Sequence, residues 1–507
     1  MGVFLGRHRS AFHRAAFVAT VICGFVTHGA WGSESIPVTP WFTGILQDSV
    51  SIVSSSGGAV DALNAGASGI GMARLADHGP LLAANAPTSR EQLFDVVRPE
   101  RKEPSGITGF YGIGVAYTYA DPAHWSRAVN RLQLAAEGSL SDRVKYKLGA
   151  RIDADPVYFG SDFYLPAVKR DQRADLIWRE NYIDVSAGDW DFRLGAQHIV
   201  WGEVVGLFVA DVVSARDQRE FLLPSFDIIR IPQWAVRAEY YLGESHLELV
   251  WIPIPTFDRI GKPGSDFYPV RLPSRTPAEV ASQIDAIDKP ASGLDNSSYG
   301  VRVNTLIDGW DIAGFFYRGF STEPTFYSAG RDGGPSATLQ PQYDRIEHVG
   351  TTLSKDLNAF VLRAEAVYTR GKNFSSTDPM AVRGAVPRST LDYILSMDMP
   401  VATDGRLNLQ AFQRVYFGGD DQLALTPGTF GASAFFSIKM TNSIEPQLLW
   451  LQTFGGGGGL IRPKINWNAG KNISFAIGAD VFTGPSNGFF GRYNNRDRLY
   501  TELRYDF

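Results

Sequence analysis

The last ten residues of the chain alternate between two kinds of side chain. Leu499, Thr501, Leu503, Tyr505 and Phe507 share one face of an extended chain, and most of the residues between them are charged. Successive side chains of a strand point to opposite faces, and about ten residues are enough to cross a tilted bilayer span. The segment therefore predicts a transmembrane β-strand with one face toward lipid and the other toward a polar lumen.

The same strand ends on an aromatic residue at the C-terminus. Leu503, Tyr505 and Phe507 together resemble the assembly signal of outer-membrane barrels. The resemblance implies two partners, the barrel-assembly machinery and the lipid of the outer membrane of a Gram-negative bacterium.

Period-two alternation recurs upstream, and turn signals rich in Gly, Asp and Ser separate the segments. The pattern predicts an all-β fold, a transmembrane antiparallel β-barrel of about 18 strands, with 16 as the alternative count. The predicted strands are 109–119, 126–138, 143–155, 175–186, 190–200, 233–242, 245–252, 298–306, 310–319, 343–354, 358–369, 388–399, 404–417, 430–440, 443–454, 460–468, 471–483 and 496–507.

Connections between these strands differ in length by parity. Every second connection is a tight turn, and most of the others are long, namely 156–174, 201–232, 253–297, 320–342 and 370–387. A transmembrane barrel has short periplasmic turns and longer outer loops, which places both termini on the periplasmic side. A soluble β-sandwich has no reason to sort its loops in this way.

The N-terminal part of the chain does not alternate. Residues 1–32 have a basic start, a short apolar run and a small-residue cleavage site, as a secretory signal peptide does. Residues 33–105, of which 54–71 are rich in Gly, Ser and Ala, predict a non-barrel segment, either a periplasmic arm or a plug in the lumen. The barrel domain is therefore expected to span residues 106–507.

Composition narrows the class of protein further. After the predicted signal peptide, no apolar run is long enough for a transmembrane helix. The single cysteine, Cys23, lies in that peptide, which excludes cysteine-based metal sites and thiol catalysis from the mature chain. The formal net charge of −5 becomes more negative once the arginines of the signal peptide are removed, which argues against nucleic acid as a partner.

The sequence offers no clear catalytic, metal or cofactor site. The histidines that follow the signal peptide show no metal-ligand spacing such as HExxH. A barrel enzyme would need an outward Ser–His pair with an orienting partner, and no spacing marks one out. We therefore expect a protein that is not an enzyme and that has no metal or cofactor.

The predicted inward faces carry more basic than acidic side chains. One interpretation is a pore that attracts anionic or polar solutes, because wall charge lowers the entry barrier for opposite charge. The other is a set of self-compensating charge ladders across neighbouring strands. The candidate lumen-lining residues are Arg127, Arg131, Lys145, Lys147, Arg151, Arg193, Arg237, Arg302, Arg363, Arg406, Arg462, Lys464 and Arg504.

The long connection 201–232 is unusually apolar, with Val, Leu and Phe in residues 204–213 and 221–231. Such a loop would aggregate if it stood in water. We expect it to fold inward as a constriction or gate.

One block of sequence resembles a known family. It reads RLGAQHIVWGE at 193–203, DVVSARD at 211–217, IRIPQW at 229–234 and ELVWIP at 248–253. The block is similar to an uncharacterised family of Gram-negative outer-membrane proteins, classed as a domain of unknown function. More distantly it is similar to alginate-export porins, which are 18-stranded barrels with a basic lumen.

The expected function is an outer-membrane porin or export channel for polar or anionic solutes. The family is discussed beside resistance-nodulation-division exporters and periplasmic lipid carriers. The resemblance therefore implies an alternative, the handling of lipid or hydrophobic substrates with periplasmic or inner-membrane transport partners. A third hypothesis is a structural sleeve around a periplasmic partner.

Overall fold

The computed structural model describes residues 106–507 apart from residues 205, 208, 271–274, 330–337, 377, 419–422, 424–429 and 487. The predicted signal peptide (1–32) and the predicted arm or plug (33–105) lie outside the described residues, and both stay predictions.

Eighteen strands form one continuous antiparallel sheet. Numbered in chain order with the four short loop strands, the strands are β1 (Gly106–Thr118), β2 (His124–Ser141), β3 (Val144–Ala154), β4 (Ala174–Ala187), β5 (Trp190–Gln197), β6 (Ala215–Arg216), β7 (Arg230–Ile231), β8 (Gln233–Leu242), β9 (Ser245–Ile254), β10 (Ser298–Ile307), β11 (Trp310–Phe320), β12 (Thr325–Ala329), β13 (Thr338–Gln342), β14 (Arg345–Asp356), β15 (Val361–Ser375), β16 (Ala385–Val401), β17 (Gly405–Phe417), β18 (Phe430–Ile438), β19 (Ile444–Thr453), β20 (Gly458–Asn468), β21 (Ile473–Thr483) and β22 (Arg498–Asp506).

The sheet closes on itself between its first and last strands. β22 pairs antiparallel with β1 from Phe110 opposite Asp506 to Thr118 opposite Arg498. The backbone of Phe507 continues this pairing, since its N–H donates to the Gly109 carbonyl and its carbonyl accepts from the Gly109 N–H, both at 2.9 Å. Closure satisfies the backbone groups of both seam strands, as a membrane-spanning sheet requires.

The remaining elements lie in the connections at one end of the barrel. β6 pairs with β7, and β12 pairs with β13. The α-helices are α1 (Val157–Gly160), α2 (Pro166–Gln172), α3 (Phe226–Ile229) and α4 (Pro277–Ser282), and short 3₁₀ turns cover Leu294–Asn296, Val382–Gly384 and Gly491–Tyr493.

The predicted architecture is confirmed, with 18 barrel strands rather than 16. The loops also sort by parity, because short turns join β2 to β3 and β4 to β5, while long connections follow β3, β5 and β9. Several predicted strand ends differ from the structure, and two of the differences affect the wall. The strand predicted at 190–200 ends at Gln197, where the chain leaves the wall for the lumen. The strand predicted to end at 369 continues to Ser375, because its outer part pairs with β16 beyond a bulge.

The outward faces of the strands carry exposed apolar side chains, as the alternation predicts. They include Leu134, Ile152, Leu176, Trp178, Ile183, Trp234, Trp251, Val349, Leu395, Ile465, Ile477 and Leu503. This apolar belt is the lipid-facing surface of a transmembrane barrel. No helix in the described ranges is long and apolar enough to span a membrane.

The belt leads to a prediction that depends on depth. Leu395 lies in the interior of β16, opposite Ala364 and Ala411, whereas Leu242 ends β8 beside a short turn. Both are exposed, so neither substitution by arginine opens a cavity. We expect Leu395→Arg to destabilise the barrel by about 2–4 kcal/mol and Leu242→Arg by about 0–1 kcal/mol. Unfolding from lipid vesicles in denaturant measures both, and equal costs would contradict the assigned lipid face.

The C-terminal residue gives a second prediction. Phe507 is held to Gly109 by backbone hydrogen bonds alone, so Phe507→Ser keeps both bonds. If the aromatic ring serves as the assembly signal with Leu503 and Tyr505, this variant will insert far less folded barrel in cells while refolding normally from urea in vitro. Heat-modifiable mobility on a gel reports the folded form. Normal insertion of Phe507→Ser in cells would show that the aromatic ring is not part of the assembly signal.

Candidate solute pathway in the barrel lumen

The connection after β5 enters the barrel. We call residues 198–232, as far as they are described, the lumen loop. Its apolar side chains are buried, and they include Ile199, Trp201, Val204, Leu207, Val213, Leu222, Phe226 and Ile229. All of these except Ile229 join apolar side chains of the wall in one cluster. The hydrophobic effect therefore places this loop inside, as the sequence led us to expect.

A single wall carboxylate holds the first part of the lumen loop. Glu365 on β15 accepts hydrogen bonds from the backbone N–H groups of Val204 and Ala210, both at 2.7 Å, and from that of Glu203. On the neighbouring wall, Arg302 of β10 donates to the Glu203 carboxylate at 3.0 Å. Backbone groups that have left the sheet are thus satisfied by charged wall side chains, and such charge-assisted bonds are the stronger kind.

The same segment also packs against β11, through an aromatic contact, and against β10, at a glycine. The Trp201 ring packs against Phe315 with ring centroids 5.1 Å apart. A Cβ added to Gly300 would lie 2.5 Å from the Trp201 ring, so this position accepts no side chain. The glycine therefore lets the wall and the lumen loop approach closely.

Wall arginines hold the second part of the lumen loop through its carbonyl groups. Arg151 on β3 donates to the Ile228 carbonyl at 3.0 Å, and Arg462 on β20 donates to the Leu223 carbonyl at 3.2 Å. Arg179 on β4 donates to the Arg230 carbonyl at 2.7 Å. The lumen loop is therefore fixed to several separate parts of the wall.

Outer loops cover the lumen loop from the long-loop end. Asp258, in the connection after β9, accepts from the Arg216 backbone N–H at 2.7 Å and from the Gln218 side chain. Burial raises the pKa of Asp258 to about 7, although the Arg216 charge opposes the rise. Burial would also raise the pKa of Asp217, but Arg219 and Arg259 hold it well below its usual range.

An open recess lies between the lumen loop and the wall made by β1, β2 and β20 to β22. It has an open volume of about 720 Å³. The apolar side of its lining includes Phe110, Val129, Pro224 and Ile228. Its charged lining is formed by Arg127, Arg131, Lys464 and Arg504 with one carboxylate, Glu502.

A second recess, of about 540 Å³, continues the first toward the long-loop end. Val129, Arg131, Pro224 and Ile228 line both recesses. The second recess carries more acid than base, and its charged lining is Arg131, Arg151, Asp153, Asp155, Asp175, Asp217, Arg219 and Glu220. The two recesses therefore share the lining beside Arg131, which we call the neck. The recess on the long-loop side of the neck has more acidic than basic side chains, and the other recess has more basic than acidic ones.

Five of the sequence-predicted lumen residues come together at these recesses. They are Arg127, Arg131, Arg151, Lys464 and Arg504. Their carboxylate partners lie in the wall or in the lumen loop. Arg131 bonds both oxygens of Asp153 at 2.8 and 2.9 Å, Lys464 lies 3.3 Å from Glu502, and Arg504 contacts Asp506 at 2.8 Å.

The other predicted lumen residues lie on inward faces but away from the recesses. Lys145 and Lys147 lie near the short-turn end, and Lys147 is 2.8 Å from Glu137. Arg193, Arg237, Arg363, Arg406 and Arg462 pair with carboxylates of the wall, and Arg302 pairs with the lumen loop. For these residues the charge-ladder interpretation describes the contacts that the structure shows.

Several residues of the lumen had not been singled out from the sequence. Arg179, Glu203 and Glu220 contact the lumen loop or belong to it, and Arg414 pairs with Asp392 at 2.5 Å. Arg414 lies on a predicted inward face, so alternation could have found it. Arg179 sits at a bulge between β3 and β4, where the period-two pattern changes phase.

The lumen shows no arrangement typical of a metal centre. Within the described ranges, no group of three or more His, Cys, Asp or Glu side chains could hold a metal ion. The buried charges instead form ion pairs within the wall and hydrogen bonds with the lumen loop.

Solved structures with a similar barrel have little sequence in common with this chain. OccAB1 of Acinetobacter baumannii is 6% identical over 79% of this chain and 95% of its own, with a TM-score of 0.48. OpdK of Pseudomonas aeruginosa, solved with vanillate, is 8% identical over 79% and 98%, with a TM-score of 0.45. OmpT of Vibrio cholerae is 9% identical over 79% and 98%, with a TM-score of 0.40.

No curated protein sequence matches the chain. A family model does match, over residues 142–507, which include the barrel from the turn before β3 to the last residue. This range contains the lumen loop and all the motifs that carried the resemblance. The chain therefore belongs to the family described as "Protein of unknown function (DUF1302)".

Proposed function

We propose that the protein is a selective channel of the Gram-negative outer membrane that passes small anionic solutes and is not an enzyme. The solute path runs between the lumen loop and one side of the wall, through the two recesses and the neck beside Arg131.

The charge of the first recess is the observation that carries the proposal. Its lining holds Arg127, Arg131, Lys464 and Arg504 against Glu502, although the chain as a whole has a net charge of −5. Low-dielectric walls strengthen the attraction between such a lining and an anion. For an anionic solute, attraction to this lining therefore offsets the free energy of hydration that the solute loses on entering the recess.

The ion pairs leave donors for a solute. A guanidinium has five N–H donors. Arg131 uses Nε and one terminal nitrogen on Asp153, so its other terminal nitrogen can donate elsewhere. A carboxylate or phosphate group of the solute replaces the wall carboxylates as the partner of successive basic side chains. Each of these sites therefore binds the solute only weakly.

The lumen loop argues against the sleeve hypothesis. It crosses the lumen and contacts β3, β10, β15 and β20. A periplasmic protein partner would need that space. A role with periplasmic or inner-membrane transport partners stays compatible with a channel and stays a prediction.

A charge change in the recess tests the proposal. Lys464→Glu should move the reversal potential across a salt gradient toward cations, and Lys464→Gln should move it about half as far. Lys439→Glu makes the same charge change at an exposed residue that directly follows β18 and lines neither recess, and it should leave the reversal potential unchanged. At 1 M salt the shift should shrink, because the Debye length falls to about 3 Å.

Planar bilayers give the measurement, and heat-modifiable mobility first confirms that each variant is folded. An equal shift for Lys464→Glu and Lys439→Glu would mean that the recess lies off the conducting path. Absence of conductance from the wild-type protein would contradict the channel itself.

The Glu365 contacts generate a prediction about the lumen loop. Glu365→Gln replaces one acceptor oxygen by an NH₂ group, which cannot accept from a backbone N–H. We expect the loop to loosen, with larger or fluctuating single-channel conductance and faster tryptic cleavage within 198–232. Asp398→Asn is the control, because this buried carboxylate contacts only the wall arginines Arg363 and Arg406. Identical cleavage rates for the two variants would rule out Glu365 as the loop's anchor.

A further inference from the structure

One part of the barrel wall lacks a strand at its outer end. β4 pairs with β3 along nearly its whole length, from Ala174 to Val185. On its other edge it pairs with β5 only from Asn181 to Ala187. Within the described chain, no strand pairs with that edge of residues 174–180.

The missing segment is the continuation of β5. After Gln197 the chain turns inward as the lumen loop, and the wall resumes with β8 at Gln233. The short β7, just before β8, pairs only with β6 and not with β4. In place of a paired strand, the lumen loop lies beside this edge, where the His198 backbone N–H donates to the Glu180 carboxylate at 3.3 Å.

This opening in the strand pairing faces lipid. On the β4 side, Leu176 and Trp178 point outward with 59% and 64% of their surfaces exposed. On the other side, Trp234 of β8 and Ile254 of β9 are exposed by 55% and 53%. Apolar side chains thus frame the opening at the level of the apolar belt, where water cannot serve unpaired backbone groups.

Side chains rather than backbone pairs close the opening. In its middle, Arg179 reaches from β4 to the carbonyls of Arg230 and Asp227. At its outer end, Asp175 pairs with Arg219 at 2.9 Å and Arg259 at 2.5 Å. A closure of this kind can break without unfolding the sheet, because it includes no strand pairing.

The inner side of the opening reaches the solute path. Asp175, in the unpaired part of β4, lines the second recess together with the apolar Ile228 and Ile229 of the lumen loop. The recess therefore extends from the neck at Arg131 to the inner side of the closing side chains. The second recess has more acidic than basic side chains, and the basic lining lies beyond the neck in the first recess.

We propose that this opening, bounded by residues 174–180 of β4 and the start of β8, is a lateral window between the lumen and the bilayer. It passes small amphiphiles with an anionic head and a hydrocarbon tail. The basic recess binds the head, and the framing side chains receive the tail. Arg179 is the positioning residue that keeps the window shut. The assignment of the head group rests on the proposed function.

Accessibility from the bilayer tests the window without any conductance. The only cysteine, Cys23, lies in the predicted signal peptide, and a Cys23→Ala background allows single-cysteine variants. Ile177→Cys places a thiol inside the wall behind the window, while Leu176→Cys is a lipid-facing reference. Val367→Cys is the control, since it is also apolar and inward but lies on β15, which is paired on both sides. Because Ile177 is half-buried and Val367 is buried, each rate is taken relative to that of the same variant in detergent micelles.

Hexadecylmaleimide in phosphatidylcholine vesicles is the probe. We expect Ile177→Cys to react within about tenfold of the Leu176→Cys rate and Val367→Cys at least a hundredfold more slowly. Addition of Arg179→Ala should speed the reaction of Ile177→Cys several-fold. Addition of Arg414→Ala, which removes a buried arginine paired within the wall, should not change it. Equal rates for Ile177→Cys and Val367→Cys would overturn the window.

The head-group class has its own test. Dodecanoate should slow the labelling of Ile177→Cys, whereas dodecyltrimethylammonium, with the same tail and the opposite charge, should not. Equal slowing by both would keep the window and overturn the anionic selection. A labelled Ile177→Cys in a barrel without conductance would refute the proposed channel and leave the window standing.

Discussion

Pairing of backbone polar groups in a medium without water is the constraint from which this architecture follows. Pairing of β22 with β1 satisfies this constraint for the wall, since even the backbone of Phe507 is hydrogen-bonded to Gly109. The lumen loop leaves the sheet and must meet the same need by other means. Glu365 serves its first N–H groups, and wall arginines such as Arg151 and Arg462 serve its later carbonyls.

Because wall arginines also hold the lumen loop, an excess of inward arginines does not by itself make the lumen attract anions. A single arginine can neutralise a wall carboxylate and also hold a loop carbonyl, as Arg462 does with Asp480 and Leu223. Such a residue contributes to the shape of the path more than to its field. In the proposed channel, the field that acts on a solute is set in the first recess, whose lining holds Arg127, Arg131, Lys464 and Arg504 against one carboxylate, Glu502.

The sequence predicts the wall well and the lumen poorly, and the reason is physical. Alternation follows from the geometry of each strand, so the 18 strands could be predicted from local pattern alone. The inward fold of residues 198–232 could also be predicted, because an apolar loop has to be buried. The contact of Glu365 with Val204 joins residues far apart in sequence, and no local pattern encodes it.

At Arg179, both the local strand pattern and long-range contacts determine the structure. At this residue β4 has a bulge against β3, and its other edge has just lost its partner β5. A bulge turns a side chain out of the alternating pattern, so prediction from period two fails at the same place where β4 loses its partner β5. If β5 had continued as predicted to residue 200, its backbone would occupy the edge that Arg179 now spans. The early end of β5 therefore supplies two features together: the loop that narrows the lumen and the gap beside it.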